Sequence, residues 1–152
     1  MTTPDLQAAA DALAIGISVI DRATAFAAGL PDADDHQSFL YDLAHAASAV
    51  EISRSLLDYG AKGDSEGKIA CAFIADALAD LHSKLFGREE AWGVGEGEID
   101  PARGFISKYR APEFVAQLAT ISAPSHLDED FTMVADTFRR FAQDKVAPQA
   151  EH

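Results

Sequence analysis

The sequence predicts an all-α protein: an antiparallel bundle of three long helices, two short helices and a further long C-terminal helix. Three observations predict it. Apolar residues recur at three- and four-residue steps through four long stretches, which is the stripe of an amphipathic helix. No stretch alternates apolar with polar residues as a half-buried strand does. The segments between the long stretches are short and carry glycine, proline and aspartate, so successive long helices are read as antiparallel neighbours.

The first helix is predicted over residues 5–28. Leu6, Ala10, Leu13, Ile17, Ile20, Thr24 and Ala27 make one stripe, and Ile15, Val19 and Phe26 make a second beside it. A helix apolar over so wide an arc must touch more than one neighbour. Gly29-Leu-Pro31 stops it. The second helix is predicted from about Asp35 to Tyr59, with Phe39, Leu43, Ala46, Val50, Ser53 and Leu57 inward and Asp34 or Asp35 capping its start. The third runs from Asp64 or Ser65 to Phe86, with Ala70, Ile74, Ala77, Leu81 and Leu85 inward and Ile69, Phe73 and Leu78 close by. Gly87 ends it.

Gly93-Val-Gly-Glu-Gly-Glu98 reads as a flexible break. Asp100-Pro101 places a capping residue before a proline, so a short helix to about Tyr109 follows. Pro112 opens a second short helix containing Phe114, Val115, Leu118 and Ile121. The last helix carries Phe131, Val134, Phe138, Phe141, Ala142 and Val146 on one face. Asp128, Glu129 and Asp130 sit at its dipole-positive start, and Pro148 ends or kinks it. The expected organisation is a helical bundle over 1–92, a linker with two short helices over 93–126, and a separate helical element over 127–152.

Composition narrows the function classes. The 152-residue chain has a net charge of −13. Residues 1–100 hold six basic and 18 acidic groups, a net −12; residues 101–152 hold six and seven, a net −1. Nucleic acid and anionic membrane need a basic face, so neither is an expected partner. No run of about 18 apolar residues marks a membrane span. Met1-Thr-Thr-Pro-Asp5 has no basic patch before an apolar run and does not read as a signal peptide. The single cysteine, Cys71, excludes an internal disulfide and fits a reducing, cytoplasmic setting. It is read as a small core residue rather than a nucleophile.

The chemistry-bearing residues form no convincing set. A di-metal bundle needs two Glu-x-x-His pairs with facing carboxylates. Only Asp42-x-x-His45 approaches that pattern, with Glu51 and Asp76 as conceivable companions; His82 has Ala79 three residues before it. His36, His45, His82, His126 and His152 lie in different segments without ligand spacing, and none is assigned as a base. Gly93-Val-Gly-Glu-Gly97 has the glycines of a phosphate loop but no preceding strand and no following Lys-Ser/Thr. Asp64-Ser-Glu-Gly67 lacks the ligand count of a calcium loop. Trp92 is read as a packing plug, and Arg139-Arg140 as partners of exposed carboxylates. No catalytic, cofactor-binding or metal residue is assigned in this chain.

The order of residue types in the last helix is more specific. Leu127-Asp-Glu-Asp-Phe131, then Val134, then Thr137-Phe-Arg-Arg-Phe-Ala142, then Val146-Ala-Pro148, resembles the opening helix of the acyl-CoA dehydrogenase family. The resemblance covers residues 127–152 and includes no catalytic residue. It implies a longer protein, in which several hundred residues follow this helix, with FAD held between homo-oligomer subunits. It also implies an acyl-CoA substrate, a glutamate that removes the α-proton, hydride transfer to the flavin and an electron-transfer flavoprotein as partner. The residues before 127 resemble the long helical N-terminal extension of the methylsuccinyl-CoA dehydrogenase branch. On that reading the chain is a non-catalytic N-terminal part of a flavoenzyme, and its partners are the remainder of its own chain and its sister subunits. The alternative is a stand-alone helical interaction module.

Overall fold

A computed structural model describes residues 3–122 and 124–150, and among them every regular element is helical. The long helices are α1 (Leu6–Ala28), α2 (Gln37–Gly60) and α3 (Asp64–Leu85), followed by the short α4 (Arg103–Tyr109) and α5 (Pro112–Leu118). Then come α6 (Glu129–Phe141), a π-type turn (Ala142–Val146) and α7 (Ala147–Ala150). The chain divides into two units, Met1–Ser122 and Ala123–His152.

In the first unit the long helices run up, down and up. At one end Leu6 of α1 lies against Gly60, the last residue of α2, while Pro4 lies against Gly67 in the first turn of α3. At the other end Phe26 of α1 meets Phe39 of α2 edge-on, at 6.1 Å between ring centroids. Small residues set the spacing. A β-carbon on Gly16 would come within 2.5 Å of Leu78 Cδ2, so glycine here gives the Leu78 side chain of α3 its place against α1. The core is closed by Leu13, Val19, Ile74, Leu78 and Leu81 from the long helices and by Tyr109 and Phe114 from α4 and α5.

The inward face of α1 differs from the expected stripe. Ala9, Ala12, Leu13, Gly16, Val19, Ile20 and Ala23 are buried, whereas Thr24 is exposed and Leu6, Ala10, Ile17 and Ala27 are half-buried. The large side chains flank a seam of alanine and glycine, because α1 packs on both α2 and α3 and the small residues lie at the closest approach. In α3 the same rotation buries Cys71 and Ala75 and leaves Phe73 exposed. The inward face of α2 is the expected one from Phe39 to Ser53; Leu57 is half-buried. Ser53 is tolerated inside because its hydroxyl donates to the Ala49 carbonyl, 2.8 Å away.

Two capping expectations are corrected. Neither Asp34 nor Asp35 caps α2: a 3₁₀ turn (Asp34–His36) precedes the helix, and Asp32 Oδ1 accepts from the Asp34 N–H at 2.9 Å. Asp100 does not cap either; its carboxylate takes Arg103 at 2.7 Å across a 3₁₀ turn (Asp100–Ala102). Pro112 does occupy the first turn of its helix. The segment 93–122 also differs from the linker expected over 93–126. It belongs to the first unit, and Val94, Ile99, Ala102, Phe105, Tyr109 and Phe114 from it are buried.

The start of the chain is tied down. Asp5 caps α1 by accepting from the Ala8 N–H at 2.9 Å. The Tyr109 hydroxyl donates to the Thr3 carbonyl at 3.2 Å, and the Cys71 thiol points a weak donor at the Asp5 carbonyl at 3.8 Å.

In the second unit Asp128 caps α6 through the Phe131 N–H at 2.9 Å, and Glu129 and Asp130 lie in its first turn. Pro148 neither ends the helix nor breaks it. It has no N–H to give and its ring crowds the carbonyl one turn back. The preceding turn widens, so that the Ala147 N–H donates to the Ala142 carbonyl five residues back, and α7 continues beyond.

Candidate functional site

The residues singled out for chemistry are separated by the fold. Asp42 bonds Arg88 at 2.8 Å, Glu51 pairs with Arg54 at 3.0 Å and Asp76 with Arg110 at 3.0 Å. His45 is exposed and its ring lies 4.4 Å from that of Tyr41. His82 packs edge-on against Phe86. Asp64 holds Lys68 at 2.5 Å. His152 lies outside the described residues. Among the described residues no group of three His, Cys, Asp or Glu side chains could hold a metal ion. Cys71 is fully buried, and burial pushes its thiol above the ordinary 9.0. A thiol held in that form is a poor nucleophile.

Two surfaces remain. The first is built by the turns that follow α3. Gly87, Gly93 and Gly97 adopt left-handed backbone, with φ of 73°, 65° and 73°. Between the first two, a 3₁₀ turn (Glu90–Trp92) drives Trp92 into the end of the bundle. Its ring meets Phe39 edge-on at 5.3 Å, and no water-accessible surface is left on it. Burying an indole here fixes the turn, since removing so large a buried side chain costs about 3–5 kcal/mol. Val94 and Ile99 anchor the next two turns in the same way. Glu98 then reaches back: its Oε1 accepts from the Gly95 N–H at 2.7 Å and from Arg22 of α1 at 2.5 Å. Arg88 ties the turn to α2 through Asp42.

The result is an open depression of about 870 Å³ with Phe26, Ala91 and Val94 in its lining. A second, of about 370 Å³, adjoins it through Gly87, Glu89 and Glu96 and is lined further by Leu85, Phe86 and Ile99. Phe86 is 77% exposed at this edge. Sequence reasoning placed Trp92 correctly as a plug but read 93–98 as a flexible break. Gly93, Gly95 and Gly97 alternate there with Val94, Glu96 and Glu98, a pattern with a single apolar side chain and so no apolar period to detect.

The second surface is the apolar face of α6 and its flanks. Leu127, Phe131, Val134, Phe138 and Phe141 recur in four-three steps and are all exposed, as are Met133 and Val146. No described residue of the second unit is buried. One helical element has nothing of its own to bury this face against. Arg139 pairs with Asp136, one turn away, and is an ordinary exposed ion pair.

No family model, curated protein or solved structure matches this chain. Both surfaces set apolar side chains beside charged ones: Phe26, Ala91 and Val94 with Arg88, Glu89, Glu90 and Glu96 in the first, and the α6 face with Asp136, Arg139 and Arg140 in the second. No helix of the described residues is long and apolar enough to cross a membrane.

Proposed function

We propose that this chain is the non-catalytic N-terminal region of an FAD-dependent acyl-CoA dehydrogenase, with a structural and subunit-packing role. The observation that carries the reading is the exposed face of α6. Phe131, Val134, Phe138 and Phe141, which carry the family resemblance, are also the residues whose side chains lack a partner in their own unit. A soluble chain that presents so many large apolar groups in one row has a use for them in packing. In the proposed arrangement they dock on the body of the flavoenzyme, and the first unit serves as an acidic scaffold beside it. FAD, the acyl-CoA (of the methylsuccinyl-CoA class) and the electron-transfer flavoprotein then belong to the rest of the protein. The buried free thiol of Cys71 accords with a cytoplasmic setting.

The test is the reading frame beyond His152, followed by purification of its full product. A yellow, FAD-bearing protein that oxidises an acyl-CoA is the expected result. An in-frame stop directly after His152 refutes the proposal and leaves a second reading, a stand-alone helical interaction module. That alternative draws on the closed core of the first unit, to which every buried residue among those described belongs.

A further inference from the structure

We propose that the paired depressions lined by the turns after α3 dock a cationic polypeptide segment with an apolar centre. The inference concerns the first unit alone and stands whether or not the chain belongs to a flavoenzyme.

Charge decides the occupant. The cations at this edge are already satisfied: Arg22 by Glu98, Arg88 by Asp42 and Arg103 by Asp100. Glu89, Glu90 and Glu96 form no ion pair among the described residues. The Glu89 carboxylate accepts only a 3.2 Å bond from the Gly87 N–H among these contacts. Three uncompensated carboxylates therefore rim a lining that contains Phe26, Ala91 and Val94. An acidic or purely apolar occupant would leave them desolvated and unpaired. A segment with an aromatic or aliphatic side chain between arginines or lysines satisfies both lining and rim. Phe86, exposed beside the shared wall, supplies a flat ring on which a guanidinium can stack.

The rim is also preorganised. Its turns are held by the buried Trp92, by left-handed glycines at both ends and by the Glu98 bridge. Docking therefore requires little ordering of this side.

The full chain is titrated by calorimetry with three capped peptides: Arg-Phe-Leu-Arg, Arg-Ser-Ser-Arg and Glu-Phe-Leu-Glu. Emission from Trp92, the only tryptophan, reports occupancy next door. Arg-Phe-Leu-Arg is expected to bind with a dissociation constant of roughly 10–100 μM at low salt, weakening about tenfold in ~0.5 M salt. Two variants keep the result specific. E90Q/E96Q removes exposed carboxylates, and F86S removes an exposed ring; neither touches the core. Each is expected to weaken binding at least about fivefold while the far-ultraviolet spectrum stays unchanged. E113Q, on α5, is the neutral control. The proposal is overturned if Arg-Phe-Leu-Arg does not bind. Equal binding by Arg-Ser-Ser-Arg would reduce the effect to general attraction by a −13 chain and overturn it too. Equal binding by Glu-Phe-Leu-Glu, or wild-type affinity in E90Q/E96Q, has the same force.

Discussion

Two glycines in one turn region separate backbone strain from steric clash. Gly87 and Gly93 share left-handed backbone, but a β-carbon on Gly87 meets nothing within 4 Å, whereas on Gly93 it would sit 2.5 Å from Phe26 Cγ. Gly87→Ala should cost about 1–2 kcal/mol, the penalty of the left-handed conformation alone. Gly93→Ala adds overpacking of about 1–3 kcal/mol and should lower the urea midpoint clearly further. Equal midpoints would refute the close Phe26 contact. A second residue-scale prediction concerns alkali. Burial pushes Cys71 above 9.0 and Tyr109 above 10.0, and the hydrogen bond that the Lys108 ammonium donates to the Tyr109 oxygen raises Lys108 above 10.5. In each case the fold favours the protonated form. The stability they contribute is complete below about pH 9 and is lost as pH rises through the raised values. Urea midpoints should be flat from about pH 7 to 8.5 and fall above about pH 9. Cys71→Ala should delay the onset toward the tyrosine range; an onset unmoved by that change would contradict the role of the thiol.

Among the elements, α6 is the one whose sequence pattern and environment disagree. Its apolar face is regular, yet the second unit buries none of it. Phe138→Ser and Phe141→Ser should therefore leave helix content unchanged and reduce binding of a hydrophobic dye by roughly half. A large loss of helicity in circular dichroism would mean that these rings already have a partner. The existence, type and approximate limits of α1, α2 and α3 were readable from periodicity because each helix is long and carries an unbroken apolar stripe. The rotation of α1 and α3 was not. Hydropathy marks large side chains, whereas the closest approach between helices selects Ala9, Ala12, Gly16 and Ala75, which carry weak signals. The two missed caps have a local cause: Asp34, Asp35 and Asp100 sit in 3₁₀ turns, where the donor geometry of an α-helix start is absent. The depression after α3 was invisible because its lining comes from α1 and the turns, brought together only by folding.

For the molecule as a whole, every buried residue among those described falls between Ala9 and Phe114. A chain ending at Ser122 should therefore fold cooperatively, with a urea midpoint matching that of the full chain. A non-cooperative or much weakened transition would show that the remaining residues contribute to the core. The bonds from Tyr109 to Thr3 and from Cys71 to Asp5 have a further consequence for biosynthesis. Translation delivers the first helix long before the residues that fasten its start. On the ribosome α1 must wait for α2 and α3 to cover its apolar sides and for α4 to fasten its start, so the nascent chain carries an open flank through much of its synthesis. A chaperone that seeks uncovered apolar helix would meet the first unit in that interval.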